Sequence, residues 1–274
     1  MVMKKLIVIG IVAAYCFAQA PLPVPRIEFL FDGDLKNSGT LGGEGRCQNP
    51  VTGEEAGFGS GMMNGCLDLS RVRGGLADKA NAHGGTVLFP AKGLEGSSMI
   101  TIIGSFYPMT ADDLPRCIVT MFPLKIYAQS GALICSVANM KNEVKYVGTK
   151  ISVISNVPVM FACVLDSRNN TITAYQYKSR ALVKTMMESG LPNGAVVSPG
   201  NLEVGNSGGI RPFKGFIDNV RIYDSILTET VISDIMAKDR SAYAEPSSLA
   251  LNAAIAPVAA PAGAVSAASI PLPA

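Results

Sequence analysis

Apolar and polar positions alternate along most of this chain. Phe216, Asp218, Val220 and Ile222 fall on one side of an extended segment, and Ile217, Asn219, Arg221 and Tyr223 on the other. This is the period of two that a strand requires. In residues 26–32, Ile27, Phe29 and Phe31 share a face in the same way. Further strands are read at 65–69, 85–90, 98–108, 116–122, 124–128, 132–138, 151–154, 159–166 and 171–177. Gln129-Ser130-Gly131 and residues 167–170 supply turn chemistry between two of the pairs. A helical start appears once, after the last strand. Thr228 can N-cap it, Glu229 suits the positive end of its dipole, and Leu227 with Ile232 can form a hydrophobic staple. About a dozen strands, one short helix and no strand–helix alternation predict an all-β fold of two packed antiparallel sheets.

Three compositional regions divide the chain. Residues 1–20 carry Lys4 and Lys5 followed by the apolar run 6–17, too short to span a bilayer, and read as a signal peptide with cleavage after Ala18 or Ala20. Residues 21–240 form the sandwich domain. Residues 241–274 are rich in Ala, with Pro257, Pro261, Pro271 and Pro273 and a single charged residue, Glu245, and read as a disordered tail. The expected location is therefore secreted, extracellular or periplasmic. The leader is similar to bacterial ones.

Charge narrows the partners. The chain has 23 Lys and Arg against 21 Asp and Glu, and loss of Lys4 and Lys5 with the leader leaves 23 minus 2, or 21, bases. A neutral domain has no electrostatic reason to bind nucleic acid. Five cysteines follow the leader: Cys47, Cys66, Cys117, Cys135 and Cys163. An odd number leaves at least one thiol unpaired or shared with another chain. Cys47 and Cys66 flank a Gly-rich loop and are the pair best placed for a disulfide, worth about 3 kcal/mol in loop-closure entropy. The other three lie in apolar strand-like runs and are read as buried thiols.

Gly215-Phe-Ile-Asp-Asn-Val-Arg-Ile-Tyr223, preceded by Asn201-Leu-Glu-Val-Gly205 and followed by the short helix, resembles the closing signature of laminin G-like, concanavalin A-like jelly-roll domains. Residues 98–108 and 159–177 are similar to the family's inner strand and central hairpin, with Phe106 where a Trp is usual. The resemblance covers roughly 26–238 and implies a two-sheet jelly-roll sandwich. It also implies calcium as a possible ligand, with Asp218 of the closing strand and Asp32, Asp34 and Asn37 of the first loop as the candidate oxygen donors. The competing reading is that Asp218 holds backbone amides and that the Asp/Asn turns form without metal.

Catalytic chemistry finds little support. A glycosidase needs two carboxylates converging on one bond, and no such motif is present. Asp112 and Asp113 read as a solvated turn, and Glu143 with Glu203 could meet only through the fold. The lone histidine, His83, sits in a Gly-rich stretch without a partner at useful spacing. Trp is absent, and Tyr107, Tyr127, Tyr146, Tyr175, Tyr177 and Tyr223 fall mostly within strands. The expected function is a secreted, non-catalytic module that recognises carbohydrate or protein at the cell surface, with no catalytic residues. The alternatives are a structural envelope or matrix protein, or a degenerate glycosidase-like enzyme on the same scaffold.

Overall fold

The computed structural model describes residues 21–48, 57–63, 65–69, 86–198, 200–208 and 211–242. The leader 1–20, nearly all of the Ala/Pro-rich tail, His83 and the side chain of Cys47 lie outside the described residues.

Fifteen strands and one helix are described. In order they are β1 (Ile27–Phe29), β2 (Arg46–Gln48), β3 (Gly57–Met63), β4 (Gly65–Asp68), β5 (Thr86–Pro90), β6 (Met99–Pro108), β7 (Arg116–Met121) and β8 (Leu124–Gln129). There follow β9 (Ala132–Ala138), β10 (Val144–Ser152), β11 (Val159–Asp166), β12 (Thr171–Lys178), β13 (Ala181–Glu188), β14 (Asn201–Val204), β15 (Gly215–Tyr223) and α1 (Glu229–Ala242). They build two antiparallel sheets. One runs β13–β12–β11–β6–β15–β4–β3 with β1 paired to β15, and the other runs β10–β9–β8–β7–β14–β5–β2. The expected all-β sandwich with a short C-terminal helix is the observed architecture. Ile27 of β1 lies opposite Ile222 of β15, so the two ends of the domain are neighbours in one sheet.

The inner faces of both sheets meet in one apolar core that includes Phe29, Phe31, Phe106, Phe161 and Phe213. Phe106 packs edge-on to Phe213 with ring centroids 5.6 Å apart, a favoured aromatic geometry. On the outer side of the eight-stranded sheet α1 forms a second apolar cluster. Ile232, Ile235 and Met236 of the helix pack with Met160, Ala162 and Val164 of β11 and with Tyr223 of β15. Covered on both faces, β11 is buried almost continuously instead of alternating. Thr228 caps the helix as its sequence predicts, its Oγ1 accepting from the Val231 amide at 3.3 Å.

Two glycines set the path of the chain around the later site. Gly215 has φ +146°, and a Cβ there would stand 2.0 Å from the Tyr107 carbonyl oxygen, so the start of β15 tolerates no side chain. A Cβ on Gly65 would come within 2.7 Å of the Asp32 Cα, so the loop after β1 rests directly on β4.

Several strands exceed the sequence reading. β13 and most of β10 were not expected. Both are sheet edges on the same side of the sandwich, and their outward positions include Gly148, Lys150 and Lys184. Edge strands protect themselves with such residues, which dilutes the apolar alternation.

Candidate functional site

The two sheets differ in what covers their outer faces. α1 covers the eight-stranded sheet, whereas among the described residues no helix lies over the seven-stranded one. Strand register carries a row of side chains across that open face. Tyr146 of β10 lies opposite Ser136 of β9, Ser136 opposite Lys125 of β8, and Lys125 opposite Thr120 of β7. The row continues through Glu203 of β14, Leu88 of β5 and Arg46 of β2. Their chain neighbours Cys135, Ile126, Val119, Val204 and Val87 belong to the core, so by strand alternation the row points outward. Tyr146 is 67% exposed at one end. At about 4.8 Å per strand, roughly 19 Å separates it from Glu203.

A second row lies beside the first: Gly148, Ile134, Tyr127 and Cys117. A Cβ on Gly148 would meet nothing within 4 Å, so there is open space next to Tyr146. Burial, reinforced by Tyr146, pushes the Tyr127 hydroxyl up to about 12, and it stays a neutral donor. Burial likewise raises the Cys117 thiol, which makes it an inert apolar group. The guanidinium of Arg211 acts electrostatically on both. Arg211 Nε and Thr120 Oγ1 are shielded from solvent and make no well-formed hydrogen bond, although the Cys117 thiol approaches the Thr120 hydroxyl. Such buried atoms carry a desolvation cost of roughly 1–3 kcal/mol. Glu203 Oε2 accepts from the Gly208 amide at 2.7 Å, which fixes the carboxylate at the far end of the row.

The predicted calcium donors meet different fates. Asp218 is fully buried where β15 breaks register against β6, next to Asn219 with φ +50°. Its Oδ1 accepts from the Asn219 amide at 2.8 Å, while Oδ2 is buried without a partner. Burial, with the nearby carboxylate of Asp32 adding repulsion, pushes the Asp218 carboxyl up to about 8. Asp32, held close by the Gly65 contact, is the one first-loop carboxylate that acts on Asp218. Asp34 Oδ1 caps the Lys36 amide at 3.0 Å. Asn37 is committed: its Oδ1 accepts from the Glu28 and Gly39 amides and its Nδ2 donates to the Gly42 carbonyl. An unpartnered buried carboxylate oxygen beside a second carboxylate fits a hard cation, but Asn37 does not fit a ligand role. No group of three or more His, Cys, Asp or Glu side chains able to hold a metal exists among the described residues.

Carboxylate pairs for hydrolysis are not brought together. Glu143 accepts from Asn139 Nδ2 at 2.6 Å in the β9–β10 turn, and Glu203 stands on β14 four strands away in the same sheet. That separation, roughly 19 Å, is about twice the widest spacing of a glycosidase pair. Asp112 is paired with Arg116, whose hydrogen bonds hold its carboxyl below the usual range. The sequence reading had most of the tyrosines on strands but Tyr146 on none, and it missed the cross-strand row because register is invisible until the sheet order is known.

No protein-family model matches the sequence, and no curated protein does. The fold is shared with solved structures at low identity. Domain 4 of AbnA, an extracellular arabinanase of family GH43 from Geobacillus stearothermophilus, solved with arabinotriose, is similar with a TM-score of 0.59 and 17% identity over 78% of this chain and 99% of that one. The receptor-binding domain of botulinum neurotoxin mosaic serotype C/D aligns with a TM-score of 0.58 and 11% identity, and the binding domain of Paraclostridial Mosquitocidal Protein 1 with 0.57 and 12%. This chain spans about half the length of those two. At these identities the likeness shows the β-sandwich fold alone.

Proposed function

We propose that this protein is an exported, non-catalytic binding module whose outer seven-stranded sheet holds a stretch of polysaccharide. The observation that carries the reading is the row from exposed Tyr146 to Glu203 along a sheet face that no described helix covers, with Ser136 sunk between its neighbours. Tyr146 offers a ring face for stacking against a sugar, and Lys125 and Glu203 offer a donor and an acceptor to ring hydroxyls. At roughly 19 Å the row suits an extended chain of several sugar units better than a single sugar. Similarity to a domain crystallised with arabinotriose supports a plant-type arabinan as the first probe. The Glu143 and Glu203 carboxylates, roughly 19 Å apart, stand too far from each other to act on one glycosidic bond, in keeping with binding without cleavage. The runner-up reading, a protein-docking or structural role, draws on the exposed apolar residues Val144, Val183 and Met187 of edge strands β10 and β13.

Calcium belongs to this proposal as a structural ligand. Asp32 and Asp218 would hold it and supply charge compensation, and the ion would relieve the otherwise unpaired Asp218 oxygen behind the β1–β15 junction.

Affinity electrophoresis in gels containing arabinan, xylan or β-glucan tests the reading. Retardation of the wild type by one of them, lost in Tyr146→Ala, is the expected result. Equal mobility in every gel, with and without calcium, would leave the protein-docking reading in its place.

A further inference from the structure

Cys135 and Cys163 face each other across the middle of the sandwich. Cys135 belongs to β9 of the seven-stranded sheet and Cys163 to β11 of the eight-stranded sheet, both fully buried in the shared core. Their sulfurs are 3.3 Å apart. The contact lies among apolar residues of the core, including Phe161, Val137 and Leu165. Neither sulfur has a role in the ligand row or at Asp218.

We propose that Cys135 and Cys163 are a modification site, oxidised to an inter-sheet disulfide when the chain folds in the presence of a disulfide donor. A disulfide requires an S–S separation of about 2.05 Å, so the sulfurs have roughly 1.2 Å to close. The register that places each cysteine on its strand's inner face is fixed by long ladders on both sides, so the pair is presented the same way in every folded molecule. The step is thiol–disulfide exchange. One protein thiolate attacks the donor disulfide, breaks its S–S bond and expels one donor thiolate, leaving a mixed disulfide. The second protein thiolate attacks the protein sulfur of that mixed disulfide and expels the other donor thiolate. Two protein thiols are oxidised, the donor is reduced by the same two electrons, and the two protons pass to the departing donor thiolates.

Timing follows from burial. Contact with Cys135 and loss of water hold the folded Cys163 thiol well above its ordinary range, so little thiolate exists once the sheets have closed. Exchange therefore takes place as the two strand ladders bring the sulfurs together but before the sheets close over them, and the closed sandwich shields the product from reductant. The cross-link joins positions 28 residues apart and ties one sheet to the other.

The full chain is refolded in a glutathione buffer containing the oxidised form, and in parallel with reductant alone. Each sample is denatured, alkylated without prior reduction and mapped as peptides. The expected result is a linked pair of peptides bearing Cys135 and Cys163 in the first sample, with Cys117 alkylated in both. The thermal midpoint of the oxidised sample should lie roughly 10 °C above the reduced one. Full alkylation of Cys135 and Cys163 in the oxidised sample, or linkage of either to Cys47, Cys66 or Cys117, would overturn the proposal. Cys135→Ala with Cys163→Ala, should it fold, is expected to reduce the difference between the two midpoints by about that amount, leaving any part due to Cys47 and Cys66; should it fail to fold, the wild-type peptide map still decides.

Discussion

Arg221 Nη1 donates to Asp239 Oδ2 at 2.5 Å, with the two side chains only 10% and 9% exposed. The same guanidinium donates through Nε to Glu28 Oε1 at 2.7 Å. One side chain of β15 therefore joins β1, the closing strand and the helix over the outer sheet face. Removing one partner of a buried pair typically costs about 3–5 kcal/mol, and because Glu28 still pairs with Arg221 the loss of Asp239 belongs at the low end of that range. Asp239→Ala is expected to lower the urea midpoint by that order and to loosen α1 first, seen as early loss of amide-exchange protection in 229–242. Replacing Arg221 by Met together with Asp239 by Leu should recover much of the loss. Equal protection of α1 in wild type and Asp239→Ala would show that apolar packing alone seats the helix.

Asp218 gives the protein a pH dependence of defined sign. Its folded carboxyl is raised from the ordinary 3.8 to about 8 by burial. The folded state therefore holds a proton that the unfolded state releases near pH 4, and the stabilisation is complete below that pH. It is lost as pH rises toward about 8, at about 1.4 kcal/mol for each unit crossed. In chelator, stability should fall across this window, and Asp218→Asn should flatten the fall. A calcium ion would take the place of the proton, so the rise in thermal midpoint on adding calcium should be larger at pH 8 than at pH 5. A midpoint indifferent to calcium at both pH values, in a wild type that still shows the slope, would remove the ion from the proposal and keep the protonated carboxyl.

Gly215→Ala tests the close approach at the start of β15. A methyl group would overlap the Tyr107 carbonyl oxygen, which is backbone and cannot move aside cheaply, and φ +146° is strained for any L side chain. A loss of several kcal/mol in chemical unfolding is expected, well beyond the ~1 kcal/mol typical of point substitutions. Gly148→Ala meets open space and serves as the control, with a change near zero.

What the chain discloses before folding depends on burial. The period of two at Ile27, Phe29 and Phe31, and from Phe216 to Tyr223, survives because one face of each strand must enter the core, and the N-cap at Thr228 is a local hydrogen bond. β13 was not legible: as an exposed edge it carries Val183, Lys184 and Met187 on positions that obey no apolar alternation. The outward row was not legible either, because Tyr146, Lys125 and Glu203 come from three distant segments aligned only by strand register. Asp218 was picked out through its place in the closing strand. The accompanying donors divided on a point no pattern records, since Asn37 spends its whole amide on the backbone while Asp32 stays beside Asp218.

The open row makes a prediction that separates binding from stability. Tyr146 is mostly solvent-exposed, so Tyr146→Ala should leave the thermal midpoint within about a degree while weakening polysaccharide binding roughly tenfold, the loss of a stacking contact worth about 1.4 kcal/mol. Lys125→Ala and Glu203→Gln act through hydrogen bonds to neutral sugar hydroxyls. Their effects should therefore persist in high salt, which would screen a purely ionic contact with a charged partner. Titration by calorimetry at low and high salt reads both quantities. A binding loss in Lys125→Ala that vanishes above physiological salt, with Tyr146→Ala unaffected, would mean that this face meets an anionic surface and not a sugar chain.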